Sequence, residues 1–167
     1  MKLNYKRTIL IGFAFMSISA FWYLYNYVIP LILQYTFSLG DDMIGIIMSA
    51  DNVLALFLLP LFGTLSDRTH TPLGKRTPYI LGGTLAASIL MILLPIADDT
   101  MNLPLFVIAL ALLLLAMSVY RSPAVALMPD VTPKPLRSKG NAVINLMGTL
   151  GGIFSYIIIA ALLPKIN

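Results

Sequence analysis

Residues 103–120 of the sequence read LPLFVIALALLLLAMSVY. This stretch carries no charged residue and approaches the length of about 20 apolar residues with which a helix crosses the hydrocarbon core of a bilayer. Four further stretches are similarly apolar, and short connectors containing Gly, Pro or Asp separate them. The predicted spans are residues 9–34, 43–64, 78–97, 103–128 and 141–163. The sequence therefore predicts an all-α membrane protein with five transmembrane helices.

The composition of the 167-residue chain agrees with a membrane environment. Apolar residues make up 59% of the chain and charged residues only 11%, which is about half the charged share of an ordinary soluble domain. A small soluble domain exposes much of its surface to water, and so few charges would not cover it. The chain has no cysteine, which excludes thiol chemistry and cysteine-ligated metal. We expect no cofactor, no metal and no nucleic-acid partner.

The charged residues separate the connectors into two kinds. Basic residues precede the first span and occupy the second and fourth connectors: Lys2, Lys6, Arg7, Arg68, Lys75, Arg76, Lys134, Arg137 and Lys139. Acidic residues alone occupy the first and third connectors (Asp41, Asp42, Asp98 and Asp99), and Lys165 follows the fifth span. Because short loops rich in Lys and Arg stay in the cytoplasm, we predict a protein of the cell membrane with a cytoplasmic N-terminus and an exterior C-terminus.

Two ionisable residues fall inside predicted spans, Asp51 in the second and Arg121 in the fourth. Such a residue near a helix centre costs about 2.5–3.5 kcal/mol on insertion scales and commonly has a function. One hypothesis is that Asp51 exchanges a proton, because loss of water favours the neutral carboxyl group, while Arg121 holds a substrate hydroxyl or acts on Asp51. The alternatives are an interhelical hydrogen bond for Asp51 and, for Arg121, a side chain that extends to the cytoplasmic surface.

Polar or small residues recur at helical spacing in the first and fifth spans. They are Ser19, Tyr23, Asn26, Pro30 and Gln34 in the first, and Asn141, Asn145, Gly148, Gly152 and Tyr156 in the fifth. A polar stripe must face protein or water. We favour close helix packing for Gly148 and Gly152, and also for Gly82, Gly83, Ala86 and Ala87 of the third span. Tyr23, Asn26 and Asn145 fit helix packing and a cavity wall equally well.

The second and fourth connectors contain recognisable patterns. The second reads Gly63-Thr-Leu-Ser-Asp67-Arg68 and then Gly74-Lys75-Arg76, which resembles the signature loop of the major facilitator superfamily between its second and third helices. The fourth, from Arg121 through Asp130 and Arg137 to Asn141, is similar to sucrose-transporter-like members of the glycoside–pentoside–hexuronide:cation symporters. Phe21-Trp22, Tyr25-Asn26 and Asp51-Asn52 also resemble bacterial members of that group.

The resemblance implies sugar:proton symport by alternating access, with a sugar, a proton and the lipid bilayer as partners. It implies a cytoplasmic gating loop formed by Gly63, Asp67, Arg68, Gly74, Lys75, Arg76, Asp130 and Arg137. Asp51 is the proton-coupling candidate, and the substrate or charge-partner candidates are Arg121, Tyr23, Asn26, Asn52 and Asn145. Sodium coupling is less expected, because Ala55 and Leu59 stand where melibiose-type permeases carry acidic residues.

The resemblance also implies a protein of two six-helix halves. Five spans over residues 1–167 then form an incomplete N-terminal half, and we expect a missing C-terminal half as partner and no transport by the chain alone. The alternative is a non-transporting membrane protein, or a truncated remnant, that acts through partner helices. An enzyme is disfavoured because the sequence has no HExxH, GxSxG or phosphate-binding glycine motif, and its only histidine, His70, lies in a connector.

Overall fold

The computed structural model describes residues 4–162, which form five long α-helices. They are α1 (Tyr5–Tyr35), α2 (Asp41–Arg68), α3 (Thr77–Asp99), α4 (Leu103–Val131) and α5 (Arg137–Leu162). Each is long and apolar enough to cross a membrane, so the predicted five-span, all-α architecture is confirmed. Lys2, Lys165 and the predicted end of the fifth span at residue 163 lie outside the described residues.

Capping side chains and terminal charges extend the helices beyond the apolar stretches. At the start of α1, Asn4 Oδ1 accepts a hydrogen bond from the backbone N–H of Arg7 (3.2 Å). At the start of α4, Asn102 Oδ1 accepts one from Leu105 (3.0 Å). Each bond satisfies a first-turn donor that has no partner within the helix. Helix α2 begins with two aspartates and ends on Arg68, charges that are favourable at the respective ends of the helix dipole.

The described chain divides into two compact units. Unit 1 comprises residues 4–29 and 124–162, and it therefore contains most of α1, the end of α4 and all of α5. Unit 2 comprises Pro30–Pro123, with α2, α3 and most of α4.

Glycines bring α1 and α5 into close contact in unit 1. A Cβ atom at Gly151 would collide with the backbone carbonyl of Met16, and one at Gly152 would lie 2.6 Å from the ring of Tyr23. A Cβ atom at Gly148 would lie 3.0 Å from an α1 side-chain oxygen. Small residues permit this approach, through which helices associate in lipid by van der Waals contact. The packing role predicted for Gly148 and Gly152 agrees with this geometry, and Gly151 is an additional contact.

One glycine of the adjacent pair on α3 packs against α4 in unit 2. Gly83 is buried, and a Cβ atom there would lie 2.8 Å from the backbone nitrogen of Tyr120 and 3.0 Å from the carbonyl oxygen of Ala116. Gly82 is exposed, and a Cβ atom there would meet nothing within 4 Å. The packing role predicted for Gly82 is therefore wrong, because successive helix residues point about 100° apart and only one of the two can face α4.

Candidate functional site

Charged and polar residues connect the end of α2 to the start of α3. We call Ser66, Asp67, Lys75 and Arg76 the loop cluster. Arg76 Nη2 donates to Asp67 Oδ1 at 2.8 Å, and Arg76 Nη1 donates to Ser66 Oγ at 3.1 Å. Lys75 Nζ lies 3.7 Å from the same Asp67 oxygen. The loop cluster therefore joins two helix ends through one carboxylate.

The guanidinium group of Arg76 is buried although its carboxylate partner is not. The side chain of Arg76 is 6% exposed and that of Asp67 is 54% exposed. Ser66 is fully buried, and its hydroxyl donates to the carbonyl of Gly63 at 2.8 Å. Because a buried charge must be paired and hydrogen-bonded to be tolerated, Asp67 and Ser66 together supply the partners that the buried guanidinium group of Arg76 requires.

A closed turn at Gly74 returns the chain to α2. Gly74 has φ +98°, a region that glycine enters without a steric penalty. Its N–H donates to the carbonyl of Thr71 (2.9 Å), and Thr71 Oγ1 donates to the carbonyl of Gly74 (2.6 Å). Thr69 Oγ1 and Tyr79 OH lie 2.8 Å apart in a further hydrogen bond across the connector. These contacts position the start of α3 so that Arg76 reaches the end of α2.

A single serine connects α2 and α4 within unit 2. Ser122 Oγ donates to the backbone carbonyl of Leu59 at 2.7 Å. A Cβ atom at Gly63 would lie 3.1 Å from that hydroxyl oxygen, so glycine at this position keeps room for the contact. Arg121, the residue before Ser122, is half-buried.

Asp51 and Arg121 lie at different depths along their helices. Asp51 lies about 5 Å before the centre of α2 and Arg121 about 6 Å beyond the centre of α4, at 1.5 Å per residue. Asp51 is half-buried, and its Oδ1 accepts a hydrogen bond from the backbone N–H of Asn52 at 2.6 Å; the side chain of Asn52 is exposed. Asp51 therefore lies in the N-terminal half of α2 and Arg121 in the C-terminal half of α4.

Three candidate residues expose their side chains on unit 1. Tyr23 is 43% exposed, and its ring centroid lies 5.3 Å from that of Tyr156. Asn26 Nδ2 donates to the carbonyl of Trp22 on its own helix (2.9 Å), and both Asn26 and Asn145 are exposed. The ring of Tyr23 therefore packs against α5. The exposed amides of Asn26 and Asn145 are accessible to water or to a further helix.

The connector from α4 to α5 carries the remaining candidates. It contains a short 3₁₀ turn over Lys134–Leu136. Arg137 Nη2 donates to the carbonyl of Pro129 at 3.1 Å, and both Asp130 and Arg137 are exposed. This bond links the first residue of α5 to the last turn of α4.

The structure brings together Asp67, Lys75 and Arg76 of the predicted loop set, whereas Arg68 is exposed and its carbonyl lies 3.0 Å from Nδ1 of the exposed His70. Ser66, Ser122 and the bond between Thr69 and Tyr79 were not predicted from the sequence. Ser66 directly precedes Asp67, and Ser122 follows Arg121 inside an apolar span. Each serine is therefore next to a charged candidate in the sequence. That proximity indicates a position of interest, but it does not identify the hydrogen-bond partner.

Comparison with known proteins places these features in a family. Residues 11–167 match the family model of the Major Facilitator Superfamily. The chain is 31% identical over 144 residues to the proton-associated sugar transporter A of Homo sapiens, an alignment that covers 79% of this chain and 19% of the relative. The protein of the same name from Mus musculus gives the same identity and coverage.

A plant protein is also similar, the sucrose transport protein SUC3 of Arabidopsis thaliana, at 28% identity over 123 residues, which cover 62% of this chain and 21% of the relative. The chain thus spans about a fifth of the length of these curated relatives. No solved structure matches it significantly. With a family match over residues 11–167 and five membrane-length helices in its described part, the chain belongs to the Major Facilitator Superfamily.

Proposed function

We propose that the chain forms membrane helices of a secondary active transporter that moves a sugar together with a proton by alternating access. The observation that carries this proposal is the 31% identity, over 79% of the chain, to a proton-associated sugar transporter. The similarity to a sucrose transport protein supports a sugar as the solute. The proposed partners are the bilayer, the sugar, the proton and the helices of a C-terminal half, and the solute crosses the membrane without chemical conversion.

Asp51 is the proposed proton-coupling residue. It is half-buried in α2, a helix of membrane-spanning length and composition. A charged side chain inside the membrane costs free energy. Binding of a proton to Asp51 would therefore change the free-energy difference between the outward-open and inward-open states of the transporter. Coupling to sodium is the weaker proposal, because the neighbouring α2 positions Ala55 and Leu59 supply no carboxylate.

The proposed sugar contacts are polar side chains of the membrane-spanning helices, each assigned by itself. Arg121 supplies N–H donors, and the amides of Asn26, Asn52 and Asn145 supply both donors and acceptors for hydroxyl groups. Tyr23 adds a phenolic hydroxyl and an aromatic face. The exposure of the three asparagines supports this assignment, since polar groups on a membrane helix need water, protein or solute as neighbours.

The loop cluster is the proposed cytoplasmic latch, together with Gly63, Arg68 and Gly74 of the same connector. Asp130 and Arg137 of the next connector are separate gating candidates. The ion pair between the buried Arg76 and Asp67 holds the start of α3 to the end of α2. Alternating access is largely a rocking of one repeat or bundle of helices against another. By holding the end of α2 to the start of α3, the loop cluster would let these two helices move as one body in that rocking.

Sugar uptake by the chain, reconstituted together with the remaining helices of a related sugar transporter, tests the proposal. An inward pH gradient should drive accumulation of labelled sucrose or a monosaccharide, and a proton uncoupler should abolish it. Asp51→Asn should remove gradient-driven accumulation and preserve sugar exchange. The matched control Asp42→Asn, an exposed acid in the first turn of α2, should behave like the unmodified protein.

Two outcomes would contradict the proposal at different levels. Full accumulation in the Asp51→Asn protein would exclude Asp51 as the coupling residue. Absence of both sugar binding and sugar uptake in a correctly folded assembly would instead favour a non-transporting membrane protein that acts through partner helices.

The proposed orientation in the cell membrane has a cytoplasmic N-terminus. It is supported by the basic residues at the start of α1, in the α2–α3 connector and around the start of α5, whereas aspartates lie at the start of α2 and the end of α3; short loops rich in Lys and Arg stay in the cytoplasm. A reporter that is active only outside the cell should work when inserted between Asp98 and Asp99 and fail when inserted in the turn Lys134–Leu136. The reverse pattern would invert the topology.

A further inference from the structure

Unit 1 contains a cavity of about 220 Å³, and one of its wall residues, Arg137, is also a gating candidate of the proposed function. It lies among α1, the last two turns of α4 and the first two to three turns of α5. Its walls are formed by Phe15, Val125, Met128, Pro129, Arg137, Asn141 and Ile144. Two of these residues are polar and the others present hydrocarbon or ring atoms. The cavity therefore offers both a charged group and an apolar wall.

The end of unit 1 that holds this cavity is strongly basic. Lys6 and Arg7 lie in the first turn of α1, and Lys134, Arg137 and Lys139 lie around the start of α5; all five are exposed. The sole acidic residue within residues 4–29 and 124–162 is Asp130. This excess of positive charge favours an anionic partner at the membrane surface.

We propose that the cavity binds an anionic phospholipid, with its phosphate at Arg137 and an acyl chain along the apolar wall. The guanidinium group has five N–H donors in a planar fork that fits phosphate. One nitrogen donates to the carbonyl of Pro129 at 3.1 Å, and the exposed side chain offers the others to a ligand. Asn141 lies four residues further on the same face of α5 and can donate its amide to a phosphate or glycerol oxygen.

The apolar wall selects a lipid over other anions. Ile144 and Met128 are buried in a small core with Ile11, whereas Phe15 is half-buried and Val125 is exposed. A free phosphate ion would leave this surface uncovered, while an acyl chain would remove it from water. The cavity also lies at an end of membrane-spanning helices, where headgroup and hydrocarbon meet.

Native mass spectrometry of the purified 167-residue chain in detergent tests the proposal, with phosphatidylglycerol and phosphatidylcholine as the two probes. One phosphatidylglycerol should bind more tightly than phosphatidylcholine. Arg137→Gln should weaken phosphatidylglycerol binding about fivefold, the effect expected for one basic residue at an anionic headgroup. Arg137→Lys should restore part of that loss, because the charge returns without the planar fork.

Lys139→Gln is the matched control. It removes the same charge two residues from Arg137, which is about 200° around the helix, and Lys139 does not line the cavity. This variant should bind phosphatidylglycerol as the unmodified chain does. Val125→Trp, a change at an exposed position of the wall, should weaken binding of both lipids by occupying the place of the acyl chain. Far-ultraviolet circular dichroism establishes that each variant keeps its helices.

Several results would overturn the proposal. Equal affinity for the two lipids would remove the anionic headgroup from the interaction. Equal losses in Arg137→Gln and Lys139→Gln would show diffuse surface attraction without a site. Competition by water-soluble glycerophosphate as effective as that by the lipid would show that the apolar wall does not contribute. A dimer in place of the lipid-bound monomer would assign the cavity to a second copy of the chain.

Discussion

Removing the carboxylate of the loop cluster should destabilise the chain by separating the ends of α2 and α3. The perturbation is Asp67→Asn, which keeps the side-chain shape and deletes the charge opposite Arg76. Arg76 would retain its hydrogen bond to Ser66 (3.1 Å) but would lose its charged partner at 2.8 Å. Because the guanidinium group is 6% exposed, water replaces that partner poorly.

The magnitude follows from the unequal burial of the two side chains. Exposed ion pairs contribute about 0.2–1 kcal/mol, whereas breaking a fully buried pair costs about 3–5 kcal/mol. Asp67 is 54% exposed, so solvent screens one side of the pair and the value should fall between these limits. We expect a coupling energy between Asp67 and Arg76 of about 1–2 kcal/mol.

A double-mutant cycle of Asp67→Asn and Arg76→Gln measures this coupling. Unfolding is followed by circular dichroism during titration with sodium dodecyl sulfate in lipid–detergent micelles. Lys75→Gln is the control, because Lys75 lies 3.7 Å from the same oxygen and is 45% exposed. Its substitution should lower the free energy of unfolding by no more than about 0.5 kcal/mol. That effect should depend more strongly on salt concentration than the coupling between Asp67 and Arg76 does. A coupling energy near zero would show that the ion pair between Asp67 and Arg76 does not stabilise the chain. A loss of stability in Lys75→Gln equal to that in Arg76→Gln would show that burial of Arg76 makes no difference.

Two further predictions concern helix contacts and use the same unfolding assay. Gly151→Ala should destabilise the chain by about 1–3 kcal/mol, because the new methyl group meets a backbone carbonyl of α1. The control is Gly82→Ala, which has open space around it and should be neutral or stabilise the chain by up to about 1 kcal/mol. Equal effects of the two substitutions would contradict the packing of α1 on α5. Ser122→Ala should lower the free energy of unfolding by about 0.5–1.5 kcal/mol, because the hydrogen bond to the carbonyl of Leu59 is lost. The control is Ser49→Ala, which loses only a hydrogen bond within α2 and should lower it less. The opposite order would exclude the contact between α2 and α4.

Hydropathy predicted all five helices, but several predicted spans begin later or end earlier in the sequence than the helices themselves. The second span was predicted at residues 43–64, and α2 covers Asp41–Arg68. An apolar window detects the part of a helix that suits hydrocarbon, whereas hydrogen bonding continues through the charged turns beyond it. A capping residue such as Asn4, before the start of α1, carries the missing information, because its side chain satisfies a donor of the first turn.

The charged residues of the α2–α3 connector could be recognised from the sequence, whereas its hydroxyl contacts and the contacts between helices could not. Asp67 and Arg76 are opposite charges separated by a short turn, so local chain geometry brings them together. The partner of Ser122 is a carbonyl on another helix, and only packing decides which carbonyl that is. The same reason explains Gly82 and Gly83, since composition reveals two small residues but not which of them faces α4.

Sugar-induced proton movement tests the proposed function most directly. Proteoliposomes containing the chain and the complementary transporter helices are suspended in a weakly buffered medium without any imposed gradient, and sugar is then added outside. Symport with a proton predicts that the medium becomes more alkaline as sugar enters, and that the Asp51→Asn protein gives no such change. Sugar entry at the normal rate with no change in external pH would contradict proton coupling.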